Sequence, residues 1–139
     1  MSMTQKIIGV SSLVFLCILW GFTAVHFKDL PPQIPIHFNA AGTADGFATR
    51  IHIWGLPLIA TALFALFKRL QKRQKIQPVE VQLLQWMQFL ITGIFCYIQL
   101  QTFLVALNRS EGLGNWFLPV TMIGFILPVV WVIIQQQRA

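Results

Sequence analysis

No Asp, Glu, Lys or Arg lies inside any of four apolar stretches, which run from Ile7 to Phe27, Ile51 to Phe67, Leu83 to Leu107 and Trp116 to Ile134. Lipid offers backbone N–H and C=O groups no partner, so stretches of this kind cross a bilayer as helices. A helix rising about 1.5 Å per residue needs roughly 17–25 residues to span the hydrocarbon. The second stretch is the shortest and meets this length if its helix opens near Thr49, a residue type suited to an N-cap. The expected spans are 7–27, 50–67, 83–107 and 116–134. Composition agrees with them. With 56% of the 139 residues hydrophobic and 10% charged, and a mean hydropathy of +0.69, too little polar surface remains to cover a water-soluble globule. The expectation is an all-α membrane protein, with one four-helix transmembrane domain over 1–139.

The short connections orient the bundle, because Lys and Arg resist translocation. One side holds Lys6, Lys68, Arg69, Lys72, Arg73, Lys75 and Arg138, which is seven; the other holds Lys28, Arg50 and Arg109, which is three. The seven are placed inside, so both termini are cytoplasmic and the connection 28–49 is extracytoplasmic. The charge order at the start is that of a signal peptide, but the apolar run exceeds an h-region of about 7–15 residues, and a retained first helix is expected. The net charge of +6 follows from the positive-inside rule. The partner it implies is the lipid bilayer, and no nucleic acid is expected. The basic connection 68–75 either recruits anionic lipid or only sets the topology. Cys17 and Cys96 sit in apolar runs without the neighbours a disulfide framework or metal knuckle needs.

In the third span Gln85, Gln88, Thr92, Cys96, Gln99 and Thr102 recur at intervals of three and four, which places them on one helical face. Amides and hydroxyls in lipid need partners, so this polar stripe should face the other helices, where Ser11, Ser12, Thr23, Thr61 and Thr121 could answer it. With no ionisable residue deep in any span, packing is a better account of the stripe than an ion pathway. Pro57, Pro119 and Pro128 each remove a backbone donor, which membrane helices tolerate where a neighbour satisfies the freed carbonyl.

The connection 28–49 changes character and contains Ile34-Pro35-Ile36-His37-Phe38-Asn39-Ala40-Ala41-Gly42-Thr43-Ala44-Asp45-Gly46-Phe47. Residues before proline are pushed towards extended backbone. Alternation of Ile34, Ile36 and Phe38 with Pro35, His37 and Asn39 predicts a short strand with its apolar side on the bundle or the bilayer interface. Gly42 and the Asp45-Gly46 pair supply turns. More than twenty residues here, where about 2–8 would join two helices, point to function. The candidate ligand-binding residues are His37, Asn39, Gly42, Asp45 and Gly46. His26, His37, His52 and Asp45 are also ligand types suited to a divalent metal such as zinc, at a spacing that matches no known motif. No catalytic residue stands out, since neither a nucleophile with an adjacent base nor a pair of carboxylates is visible in this loop.

The segment from Ile34 to Gly46 resembles the hallmark Ile-Pro-x-His-Phe-Asn-x-x-Gly-x-x-Asp-Gly of the family named domain of unknown function 1648, with His37, Phe38, Asn39, Gly42, Asp45 and Gly46 at the hallmark positions. The resemblance runs from the first span through the second. The same module begins the SdpI-like bacterial immunity proteins, which resist a secreted peptide toxin and help signal its presence. It therefore implies a multi-pass protein of the bacterial cytoplasmic membrane, working in non-enzymatic recognition, immunity or signalling at the outer face. Gly112-Leu113-Gly114-Asn115-Trp116 departs from the Gly-Ile-Arg-Thr-Pro type signature of that family's second half. The alternatives are an accessory subunit of a larger membrane transport complex, with a membrane protein as partner, and a metal-dependent membrane enzyme. The orientation is checked by placing single cysteines at Ala44 and Gln71 in a background lacking Cys17 and Cys96. An impermeant thiol reagent on intact cells should label position 44 and spare position 71, and the reverse pattern inverts the topology.

Overall fold

The computed structural model describes residues 3–72 and 77–137. Helix α1 (Met3–His26) leads through a 3-10 turn (Phe27–Asp29) into a hairpin of β1 (Gln33–Phe38) and β2 (Ala44–Thr49). A second 3-10 turn (Arg50–Trp54) opens α2 (Gly55–Gln71), which is followed by α3 (Pro78–Ala106) and α4 (Phe117–Gln137). All four helical segments are long and apolar enough to cross a membrane. The bundle is built on α3, against which α1, α2, α4 and β1 all pack. Helix α4 is the most peripheral, with Val132 as its one fully buried residue.

The start of α3 and the entry to α2 differ from the simplest expectation, each for a local reason. Helix α3 opens at Pro78 rather than Leu83, because proline's missing N–H costs nothing at a first helical position and Glu80 Oε2 accepts the Gln77 N–H at 3.0 Å. Its 29 residues give about 43 Å of helix at 1.5 Å per residue, more than the hydrocarbon requires. Lys68 and Arg69 fall in the last turn of α2, while Arg73, Lys75 and Arg138 of the basic count lie outside the described residues. Thr49 does stand at the N-cap of the turn before α2, but its hydroxyl does not bond a helix N–H. It meets His52 Nδ1 at 3.1 Å instead.

The polar stripe faces inward as its spacing requires. Gln85, Gln88, Thr92, Gln99 and Thr102 are all buried, and Cys96 is half-buried with Sγ donating to the Phe15 carbonyl at 3.1 Å. Gln99 makes the central connection. Its Nε2 donates to Thr23 Oγ1 of α1 at 2.7 Å and to the carbonyl of Ile53, just before α2, at 3.0 Å. Ile53 is four residues before Pro57, which has no N–H to give it. The side chain of α3 thus supplies the donor that the proline removed from the neighbouring helix. At the other end, Gln71 Nε2 donates to Gln88 Oε1 at 2.7 Å.

The expected hydroxyl partners divide. Thr23 answers the stripe, whereas Ser12 and Thr121 donate to carbonyls of their own helices, Ile8 and Leu118, both at 2.9 Å. Thr61 donates to the Pro57 carbonyl at 2.7 Å and accepts from Trp20 Nε1 at 2.9 Å. Among the described residues, no hydrogen bond joins Ser11 to the stripe. Apolar packing surrounds these contacts in two clusters. Leu16, Leu19 and Ala60 form one in mid-bundle, and Leu30, Ile34, Ile53 and Phe103 form the other at the hairpin end.

Gln99→Leu should lower stability by about 1–2 kcal/mol, the range of a well-made interhelical hydrogen bond in a membrane, because it strands the Ile53 carbonyl in a buried position. Gln88→Leu should cost less, since Gln71 is half-buried at a helix end and can turn towards water. Melting temperatures in detergent test the order, and equal or absent shifts would refute the bridging role.

Candidate functional site

The hairpin is shaped by its prolines and by one asparagine. Strand β1 pairs antiparallel with β2, Gln33 opposite Thr49 and Ile34 opposite Ala48. The reversal falls at Asn39–Thr43, not at Asp45-Gly46, which lie within β2. Asn39 explains the difference. Its Oδ1 accepts the N–H groups of Ala41 and Thr43, each at 3.0 Å, and its main-chain carbonyl accepts from Gly42 at 2.8 Å. A short amide that caps its own turn in this way fixes the loop locally.

The expected alternation along β1 also fails. Ile34 and Pro35 are both buried, and Ile36 is 52% exposed. The register slips on both sides of His37. Ile36 is the extra residue between the pairs Pro35 with Phe47 and His37 with Gly46, and Asp45 is the extra residue before Phe38 with Ala44. Each bulge turns one side chain out of the alternation. Phe47, opposite Pro35, is exposed as well, at 58%.

The tip of the hairpin docks on the connection between α3 and α4. The Leu113 N–H donates to the Gly42 carbonyl at 2.7 Å, and Thr43 bridges to Gly112. A side chain at either glycine is excluded: a Cβ on Gly42 would lie 2.6 Å from the Gly114 oxygen, and one on Gly112 would lie 2.0 Å from the Gly42 oxygen. Both also have positive φ, +80° and +154°. Tyr97 of α3 secures the dock from below, its hydroxyl donating to the Leu113 carbonyl at 2.8 Å. Gly112 and Leu113 were not among the sequence candidates. Two glycines around one leucine were the available signal, without anything in the sequence to name their partner.

The five candidate residues therefore separate. Asn39 and Gly42 build the turn and its dock. Gly46 lies opposite His37, where a Cβ would come 2.9 Å from the histidine Cβ. His37 and Asp45 are brought together, Nδ1 to Oδ1 at 2.5 Å, with 69% and 43% of their side chains exposed. The set His26, His37, His52 and Asp45 is not gathered. His26 Nδ1 meets Asp29 at 3.1 Å and His52 Nδ1 meets the Thr49 carbonyl at 3.0 Å. Each histidine is taken up by a neighbour in sequence or across the hairpin, and among the described residues no three His, Cys, Asp or Glu side chains converge. Beneath the hairpin lies a cavity of about 350 Å³, bounded by β1, His52 and the first turns of α2 and α4, with Gln99 and Thr102 of α3 in its wall.

These features define a small membrane protein of four apolar helices with a hairpin clamped over one end. Residues 14–61, the first span through the start of the second, match the family described as domain of unknown function (DUF1648). A protein of Archaeoglobus fulgidus described as uncharacterized is 26% identical over 131 residues, covering 89% of this chain. The chain spans 64% of that relative's length. No solved structure matches.

The division of roles has a stability signature. Asn39→Ala should cost about 1–2 kcal/mol, as the loss of a cap does, and Gly42→Val more, because it forces the tip off the Gly112–Gly114 segment. His37→Ala and Asp45→Ala should each change stability by less than about 1 kcal/mol, the ceiling for an exposed ion pair. Thermal melts and limited proteolysis of the hairpin distinguish the two groups. A large loss for the histidine or aspartate variant would make the pair part of the scaffold.

Proposed function

We propose that this protein is a non-enzymatic recognition component of the cell membrane, with both termini cytoplasmic and the hairpin on the outer face, and that it gives its cell tolerance of a secreted peptide or reports that peptide's presence. One observation carries this reading. The other polar and glycine residues of the hairpin motif are used to build, cap and dock the hairpin, while the His37–Asp45 pair stands exposed on it with little stability to contribute. A rigid platform that presents an imidazole and a carboxylate suits recognition of a polar or charged segment. The resemblance to the SdpI-like immunity proteins supplies the peptide.

A second reading, an accessory subunit of a larger membrane assembly, draws on α4. Only 6% of its membrane window is buried within this chain, so most of its apolar surface is free to meet lipid or another helix. Deletion of the gene should lower the host's tolerance of secreted antimicrobial peptides. The wild-type chain should restore it, and Asp45→Ala, expressed and folded to the same level, should not. Unchanged tolerance in the deletion strain overturns the immunity reading, and a stoichiometric membrane partner retained in mild detergent favours the accessory one.

A further inference from the structure

His37 is more than half of an exposed ion pair. Its side chain also forms part of the wall of the cavity under the hairpin, and so does His52, from the turn before α2. Both residues are exposed, and each spends the same ring nitrogen on its own surroundings. His37 Nδ1 meets Asp45 Oδ1 at 2.5 Å, and His52 Nδ1 meets the Thr49 carbonyl at 3.0 Å. An ionised carboxylate and a carbonyl only accept, so both Nδ1 atoms hold the proton, and in a neutral ring Nε2 is then an acceptor. Neither Nε2 has a hydrogen-bond partner among the described residues. The wall is otherwise largely apolar, with Pro35 and Phe38 of β1, Leu56 of α2, Ile98 of α3 and Phe117 of α4. The Gln99 amide is committed inside the bundle, to Thr23 and Ile53. Ile36 lines the cavity and is 52% exposed, so with His37 beside it the bulged part of β1 marks the mouth.

We infer that the cavity and the His37–Asp45 pair are one site, and that it takes a peptide segment in which an aromatic or branched apolar side chain stands next to a cationic group. The inference rests on the outer-face recognition reading and names the chemistry of the ligand. At ~30 Å³ per water-sized group, the volume of about 350 Å³ accommodates one such side chain with the backbone that carries it. Seating it removes apolar surface from water on both partners. Charge selects what lies beside it. The histidines offer two ring acceptors, and Asp45 adds a negative charge within hydrogen-bond distance of one of them. No Lys or Arg lines the cavity, and Arg50, the basic residue between Asp45 and His52, is turned to the Leu30 carbonyl at 3.3 Å and over the Phe27 ring. A lysine side chain or a terminal ammonium has donors only and suits such a rim, whereas an anionic segment meets a like charge there. A lipid acyl chain could fill the apolar part but would leave these acceptors unused.

The test uses the whole chain in nanodiscs of phosphatidylcholine, which has no net charge to attract a peptide, at about pH 8, above the ordinary histidine range. The photoprobe is the acetylated and amidated peptide Gly-Lys-Phe-Lys-Gly with a benzophenone on its phenylalanine ring. Its competitors are the unlabelled peptide, Gly-Glu-Phe-Glu-Gly and Gly-Lys-Gly-Lys-Gly. Cross-links are expected at Leu56, Ile98 or Phe117. The lysine–phenylalanine peptide should displace the probe about tenfold better than the glutamate peptide, the worth of one charge-assisted hydrogen bond, and about tenfold better than the peptide without phenylalanine, the worth of a buried aromatic ring. Asp45→Asn, which removes the charge and keeps the shape, should reduce the lysine-over-glutamate preference and leave the cross-linked positions unchanged. Leu56→Trp, checked for a retained melting temperature, should fill the cavity and abolish cross-linking at Ile98 and Phe117. Equal displacement by all three competitors, a preference for the glutamate peptide, or no cross-linking in the cavity, as when an acyl chain occupies it, would overturn the site. These outcomes are read on purified protein and need no cell. Cavity cross-links with the expected preferences but unchanged tolerance in the deletion strain would remove the immunity reading and keep the site; lowered tolerance without them would do the reverse.

Discussion

Everything at the hairpin end depends on the side-chain amide of Gln99. Pro57 leaves the Ile53 carbonyl without its helical donor, in a place where water is excluded, and such a group has to be satisfied from elsewhere. Gln99 reaches it while also holding Thr23, and so ties α1, the entry to α2 and α3 at one point. Because Ile53 belongs to the same apolar cluster as Leu30 and Ile34, the position of that carbonyl also fixes where the hairpin's buried residues can seat.

The hairpin is then held twice, by Ile34 sinking into that cluster and by its tip meeting the Gly112-Leu113-Gly114 segment backbone to backbone. The two contacts lie on either side of His37. A strand pinned at both ends and bulged between them has little freedom to reorient the imidazole, and the bulge at Asp45 sets the carboxylate beside it. The arrangement makes an exposed polar pair rigid without burying it, which is the usual requirement for presenting a group to a partner.

The site was legible only in part. His37 and Asp45 are eight residues apart, and what joins them is a register slip on each strand that no periodicity announces. The slip after Pro35 also explains why Ile36, an apolar residue that strict alternation would send inward, faces outward. Asn39 was readable as a residue that bonds its own turn, since that bond is local. The cavity was not readable at all, because it arises where four separate segments leave a gap under the hairpin.

Four spans, the inward face of α3 and the extended character of the segment around Ile34 were determined by the sequence itself. Each follows from a period or a chemical exclusion acting over neighbouring residues: charges kept out of lipid, polar groups recurring every three or four positions, and residues before proline driven to extended backbone. Tertiary structure decided which partner each polar group found. The choice between Thr23 and Ser12 for Gln99, the meeting of Gly42 with Gly112 some seventy residues on, and the scattering of the three histidines into separate pairs depend on distances between segments remote in sequence. Hydrogen bonds and steric contact act over a few ångströms, so no local pattern encodes such pairings until packing has brought the segments together.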